Sequence, residues 1–256
     1  MRSRTRWLLV GLGTFVVVAI VVFAVLLALR ADVRGAGAPT GSPVPGPDYA
    51  LPAPSPPEAV EPTGLGVAGL ADAAWVGRVA SASGIPSRAL AAYAGVAIAK
   101  ARTMPSCNLG WTTLAAIGLI ESDHGRHGGS MVGEDGTVTP PIFGISLDGS
   151  SSANIPDSDK GAIDGDAKFD RAVGPMQLIP QTWRNWHVDG GADGVEDPQN
   201  IDDAVLATAN YLCRASGDMV SRSGWRAGVG AYNSSDFYVQ SVATAANRYA
   251  GDAAGQ

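Results

Sequence analysis

The chain has 256 residues, a formal net charge of −6 and only two cysteines, Cys107 and Cys213. The acidic balance and the lack of a basic stripe in the folded part exclude a nucleic-acid-binding role. Two cysteines are too few soft ligands for a structural zinc site, and an even pair in an exported protein reads as a Cys107–Cys213 disulfide.

Export is what the N-terminus predicts. Leu8 to Leu29 is an uncharged apolar run of 22 residues, long enough to cross a bilayer as one helix. Arg2, Arg4 and Arg6 precede it, and Arg30 and Arg34 follow, a bias that favours a cytoplasmic N-terminus with the rest of the chain outside. A cleaved signal peptide is the competing reading. The run is longer than a usual signal core and Arg30 stands where small residues would be cleaved, so an uncleaved anchor over 1–30 is the expectation. Residues 31–63 are rich in Pro, Ala, Gly and Ser, with Pro52-Ala53-Pro54-Ser55-Pro56-Pro57 among them. Such a stretch buries too little apolar surface to fold and is expected to be a disordered spacer.

From 64 to 256 the pattern is that of one mainly α domain. Val67 to Ser83 and Ser87 to Arg102 carry apolar residues at three- and four-residue spacing, with Gly84 between them and Pro86 at a helix start. Pro105 breaks the chain before Leu109 to Gly125, LGWTTLAAIGLIESDHG. Trp111, Leu114, Ala115, Ile117, Gly118 and Ile120 make that stretch apolar on nearly every face, which predicts a helix buried on several sides. Its last turn carries one acid, Glu121, on the face of Leu114, Ile117 and Gly118. Apolar neighbours and the unpaired carbonyls of a helix C-terminus both favour the neutral carboxyl, raising its pKa as a general acid near neutral pH requires. A solvated glutamate on a frayed surface turn is the plainer alternative from this stretch alone.

Residues 125–173 are rich in Gly, Asp and Ser, and a long irregular insertion of this kind is usually functional. Met131-Val132 and Thr137-Val138 flank Glu134-Asp135-Gly136, predicting a small hairpin. Helical patterns resume at Gln181–Trp186, Asp202–Ala215, Trp225–Tyr232 and Ser235–Ala250. Two acidic groups accompany them: Asp157, Asp159, Asp164 and Asp166, then Asp189, Asp193, Glu196 and Asp197. The second places Asp193-Gly194 like positions five and six of a calcium loop. It has Gly191 at position three and Asn200 at twelve, so a solvated turn is the default and calcium the minority reading. No other cofactor is expected. His124 and His127 lack a third ligand and a shared helical face, which argues against zinc. Trp183, Trp186 and Trp225 offer rings for sugar stacking, with core packing as the more common use of such aromatics.

Three stretches carry a resemblance: Glu121-Ser122-Asp123-His124-Gly125, the run Asp170-Arg171-Ala172-Val173-Gly174-Pro175-Met176-Gln177 continuing to Trp183, and Ala231-Tyr232-Asn233. With Asp197-Pro198-Gln199-Asn200-Ile201 and Tyr211-Leu212-Cys213, in this order, the sequence resembles a bacterial lytic transglycosylase of the membrane-bound murein transglycosylase B type, in an actinobacterial form. The resemblance covers most of Cys107 to Tyr249. It implies a goose-lysozyme-like helical fold with a small β or irregular insertion after the acid-bearing helix. It implies as substrate the glycan strands of peptidoglycan, cut between N-acetylmuramic acid and N-acetylglucosamine with a 1,6-anhydro product. Glu121 would act as acid and then base, so no second catalytic carboxylate is required. Ser122, Met176, Gln177, Tyr232 and Asn233 fall at the positions that bind substrate or orient the acid and the acetamido group. Of these, Ser122, like His124, is expected to position the turn rather than do chemistry, and plain core filling is the alternative for Met176. A hydrolytic muramidase, or a wall-binding protein that keeps the fold without turnover, are the competing functions.

Overall fold

Residues 46–64, 66–150 and 152–255 are described by a computed structural model of the chain. The expected membrane anchor over Leu8 to Leu29 lies outside them, and among the described residues no helix is long and apolar enough to cross a membrane. Seven α-helices make up the body: α1 (Ala73–Ser83), α2 (Ser87–Thr103), α3 (Trp111–Ser122), α4 (Pro180–Trp186), α5 (Ile201–Ser216), α6 (Arg222–Tyr232) and α7 (Asp236–Ala254). The helix foreseen from Val67 is divided. Val67–Leu70 is a short 3-10 turn, and α1 begins only after Asp72, whose carboxylate accepts from the Trp75 amide at 2.7 Å. An aspartate of this kind starts a new helix more readily than it sits inside one.

Helix α3 is the centre of the body. Trp111 to Gly118 are all buried, and α3 packs along α7 and against α2. Its approach to α2 depends on Gly118: a Cβ there would lie 2.1 Å from the Tyr93 hydroxyl oxygen, so only glycine lets that ring cross the helix. At the other end Trp225 on α6 donates from Nε1 to Thr113 Oγ1 at 3.0 Å. Cys107, just before α3, is bridged to Cys213 on α5 with a Cα–Cα distance of 5.4 Å.

The β insertion has two separate two-stranded ribbons. β1 (Met131–Val132) pairs antiparallel with β2 (Val138–Thr139), forming the hairpin expected around Glu134-Asp135-Gly136. β3 (Phe143–Ser146) pairs antiparallel with β4 (Arg171–Val173), with Phe143 opposite Val173 and a register shift before Ser146. Ribbons this short do not hold a position by themselves. Their placement comes from contacts with the helical body.

The spacer expected to run unpacked to residue 63 is seated on the body from residue 46. Asp48 pairs with Arg222 and Arg226 of α6. The Leu51 amide donates to Asn247 Oδ1 at 2.7 Å, and Asn247 Nδ2 donates to the Tyr49 carbonyl at 3.2 Å. Further on, Ala59 and Asp72 amides bond the carbonyls of Leu70 and Pro57, both at 2.9 Å. Composition alone misjudges this stretch, because its polar anchors belong to partners far away in sequence. Ala50 and Pro56 are buried there, worth about 2 kcal/mol together. A chain beginning at Gly64 should therefore melt about 4–8 °C below one beginning at Gly46. Equal midpoints in a calorimetric scan would show that the strap adds nothing to the fold.

Candidate active site

The acid-bearing end of α3 is shaped by three consecutive left-handed residues, Asp123, His124 and Gly125, with φ of 51°, 60° and 82°. The Asp123 amide reaches back to Leu119 O and the His124 amide to Gly118 O, both at 2.9 Å. These bonds satisfy carbonyls that the helix end would otherwise leave open. Two of the three residues carry a Cβ, which disfavours that backbone, and the His124 side chain shows what holds it. The imidazole is buried, with Nδ1 3.1 Å from the Tyr93 hydroxyl and Nε2 2.9 Å from the Tyr249 hydroxyl. Burial pushes its pKa down to about 4, so the ring is neutral at ordinary pH. His124 is a packing and hydrogen-bonding anchor, and His127 is exposed on the turn beyond it.

Glu121 is half-buried where α3 ends. Loss of water raises its pKa to about 7, against a smaller opposing effect from the Tyr238 hydroxyl, which donates to Oε1 at 2.6 Å. Tyr238 lies in the first turn of α7, and burial followed by the Glu121 charge keeps its own pKa well above the usual phenol value, so it remains a donor. Its ring lies nearly parallel to that of Tyr232, centroids 6.5 Å apart and planes 7° apart. Tyr232 in turn donates its hydroxyl to the Met176 carbonyl.

That bond brings the Gly174–Gln177 turn to the acid. Gly174 has φ 73° and lies so close to Pro198 that a Cβ would come within 1.8 Å of its carbonyl oxygen. Ser122 Oγ donates to Pro175 O at 2.6 Å and accepts from the Gly125 amide at 2.8 Å, stitching the helix end to the turn. Gln177, half-buried with φ 48°, donates from Nε2 to Gly174 O at 2.9 Å. Its Oε1 faces β3, where a Cβ added at Gly144 would lie 2.9 Å away.

Glu121, Gln177 and Tyr232 are thus linked through one turn, but two residues expected at the substrate are not available to it. Met176 has no exposed surface and Ser122 has 2%, because the thioether fills the core and the hydroxyl serves two backbone groups. Their contribution is to hold the turn. Asn233 is exposed at the end of α6, and its Oδ1 accepts from the Ser235 amide at 3.0 Å, capping the approach to α7. Trp183 and Trp225 are core residues, whereas Trp186 is half-buried beside Tyr211, centroids 6.1 Å apart. Tyr238 was missed by sequence reasoning. It lies six residues beyond Tyr232, past a helix break that hides any helical periodicity between them.

The acidic side chains that converge are Asp157, Asp159 and Asp170, with candidate ligand atoms within 4.8 Å of one another among the described residues. Their oxygens accept from backbone amides of the same loop, including Lys160 to Asp157 at 3.0 Å, Ile163 to Asp159 at 2.8 Å and Ser158 to Asp170 at 2.8 Å. In the stretch expected to resemble a calcium loop, Asp189 accepts from the Gly194 amide at 2.8 Å, and Asp193 from the Val195 amide at 2.8 Å.

Residues 158–231 match a family model described as Transglycosylase SLT domain. The matched stretch holds the Gly174–Gln177 turn and Tyr211, ends one residue before Tyr232, and lies wholly beyond Glu121. It covers under a third of the chain and supports a lytic-transglycosylase type of domain. No curated protein and no solved structure matches the chain.

Two measurements follow from the carboxyl environment. The folded chain holds the Glu121 proton more tightly than the unfolded one, so this group contributes stability below about pH 4.5 that is lost as pH rises through about 7. Glu121→Gln removes that dependence. It should stabilise the protein at pH 8 relative to wild type by about 2 kcal/mol after allowance for partial exposure, and hardly at all at pH 4. A melting difference independent of pH would contradict the raised pKa. Tyr238→Phe removes a donor that favours the carboxylate, so the Glu121 pKa, read by NMR titration, should move upward.

Proposed function

We propose that the chain is a peptidoglycan lytic transglycosylase of the membrane-bound murein transglycosylase B type, cutting the β-1,4 bond between N-acetylmuramic acid and N-acetylglucosamine. The observation that carries the reading is the single carboxyl of Glu121, kept protonated toward neutral pH by burial and gripped on one oxygen by Tyr238. The transglycosylase family match over 158–231 supports it. In this reading the domain works outside the cytoplasmic membrane, tethered through the Leu8 to Leu29 run.

The chemistry needs one group that gives a proton and later takes one. Protonated Glu121 delivers its proton to the glycosidic oxygen as the bond from C1 breaks. The 2-acetamido oxygen of the muramic acid covers the charge at C1. The Glu121 carboxylate then accepts the proton of O6, whose oxygen closes on C1 and displaces the acetamido group, leaving a 1,6-anhydro ring. A base formed by the acid step is already placed for the second step, and Tyr238 stabilises it as an anion by donating to Oε1. Asp123, the acid nearest in sequence, is exposed and paired with Arg126 at 2.7 Å, and it has no part in the reaction. Gln177 and Tyr232, joined to the acid through the Gly174–Gln177 turn and Tyr238, are the side chains this reading assigns to the substrate.

Purified peptidoglycan digested in oxygen-18 water should yield 1,6-anhydromuramic ends without label. Glu121→Gln should lose about a hundred- to ten-thousand-fold in rate or more, and Asp123→Asn should keep most activity. The wild-type rate should fall as pH rises beyond about 7, where Glu121 loses its proton. Label at C1 would identify a hydrolytic muramidase instead. Full activity in Glu121→Gln would remove the glutamate from the mechanism altogether.

A further inference from the structure

The segment Asp197-Pro198-Gln199-Asn200-Ile201 has no part in the chemistry above, yet it touches the β1–β2 hairpin, the residue before β3 and the Gly174 turn. The Val138 amide donates to Gln199 O at 2.9 Å and the Ile201 amide to Gly136 O at 2.8 Å. Asn200 Nδ2 donates to Asp135 O at 3.1 Å, fixing the β1–β2 hairpin at its turn. Pro198 O lies against Gly174. The Gln199 side chain is buried, and its amide pairs with both backbone groups of one residue: Oε1 accepts from the Ile142 amide and Nε2 donates to the Ile142 carbonyl, both at 2.9 Å. The same carbonyl accepts from the Gly174 amide at 2.9 Å.

We propose that this segment is a clasp and that Gln199 is a positioning residue, holding β3 and the Gly174–Gln177 turn in place over Glu121. Ile142 is the residue before β3, and Gly174 opens the turn that carries Gln177, so one side-chain amide sets the spacing of both. The ribbons have too few bonds of their own to set it. A buried amide satisfied at both atoms gives a directional constraint, and losing it leaves an unpaired N–H on Ile142. Glutamine is specified by its chemistry: the site needs a donor and an acceptor on one planar group, four bonds out from the backbone. Carboxylate lacks the donor, and methionine has the length and neither function. The clasp rests on the transglycosylase reading only where activity is measured.

The test uses the full chain with Gln199→Met and Gln199→Glu, each compared with wild type at the same pH. In Gln199→Met, exchange of the Ile142 and Gly174 amides should accelerate about tenfold, the cost of one lost buried bond, while amides in the middle of α3 and α5 keep their protection. Its kcat on peptidoglycan should fall about 10- to 100-fold, as small misplacements near a reacting centre do. Gln199→Glu makes the test conditional. At pH 5 its buried carboxyl is neutral and supplies the missing O–H to Ile142 O, so activity relative to wild type should be close to one. At pH 8 its anion faces that carbonyl, and the ratio should fall to the level of the methionine variant. Taking the ratio cancels the titration of Glu121, and it needs only one folded variant. Unchanged exchange at Ile142 and Gly174, or a ratio constant between pH 5 and pH 8, would overturn the clasp. Wild-type protein that leaves peptidoglycan intact would refute the enzymatic assignment, and the exchange measurement would still decide the clasp.

Discussion

A carboxyl group at the C-terminal end of a helix buried from Trp111 to Gly118 is the constraint from which the rest of this structure follows. Glu121 is half-buried where α3 ends, on the side of Tyr238, and meets little water there. Its charge is disfavoured by lost hydration. A group in that position needs a donor for the moments when it is ionised, and the Tyr238 hydroxyl at 2.6 Å supplies one. A neutral donor lowers the cost of the anion without abolishing the raised pKa. An arginine there would have kept the acid permanently ionised.

The remaining elements keep that group in register. On one side, His124 bonded to Tyr93 and Tyr249 joins the end of α3 to α2 and α7. On another, Ser122 and Tyr232 take the carbonyls of Pro175 and Met176. Gln199 ties the β insertion to the N-terminal end of α5. Each of these polar groups is buried or half-buried, and each bonds to backbone or to one specific side chain. Such bonds contribute little net stability when made and cost more when broken. They select one arrangement of packed helices and ribbons from many with similar apolar burial.

Much of the helical body and of the candidate site is legible in the sequence, since both rest on local pattern. The all-round apolar run marked α3, the single acid in its last turn marked Glu121, and Glu134-Asp135-Gly136 marked the β1–β2 hairpin. What escaped depends on partners distant in the chain. Residues 46–63 have the composition of a spacer, and only the positions of Arg222, Arg226 and Asn247 make them a strap. Tyr238 has no period linking it to Tyr232. Met176 stands in the right motif but faces inward, and a motif gives position along the chain without the direction of a side chain. Gln199 stands within a recognisable pentapeptide, yet nothing local says that its amide meets Ile142, 57 residues earlier.

Two buried titratable groups, three residues apart, also set the conditions under which fold and chemistry coexist. His124 has a folded pKa near 4, below its ordinary value, so its contribution to stability is present above about pH 6.5 and is lost as pH falls toward 4. Glu121 has the opposite sign, favouring the fold at low pH and opposing it as pH rises through about 7. One group therefore penalises acid and the other alkali, and the two stand on either side of the junction between α3 and its left-handed turn. In the proposed mechanism the acid step needs protonated Glu121, which sets the upper bound. The turn that aims it needs neutral His124 between two tyrosine hydroxyls, which sets the lower. Lowering the Glu121 pKa or raising that of His124 would narrow the interval in which an aimed and protonated carboxyl exists. Burial at the end of α3 fixes both at once, because the same packing that strips water from the carboxyl strips it from the imidazole.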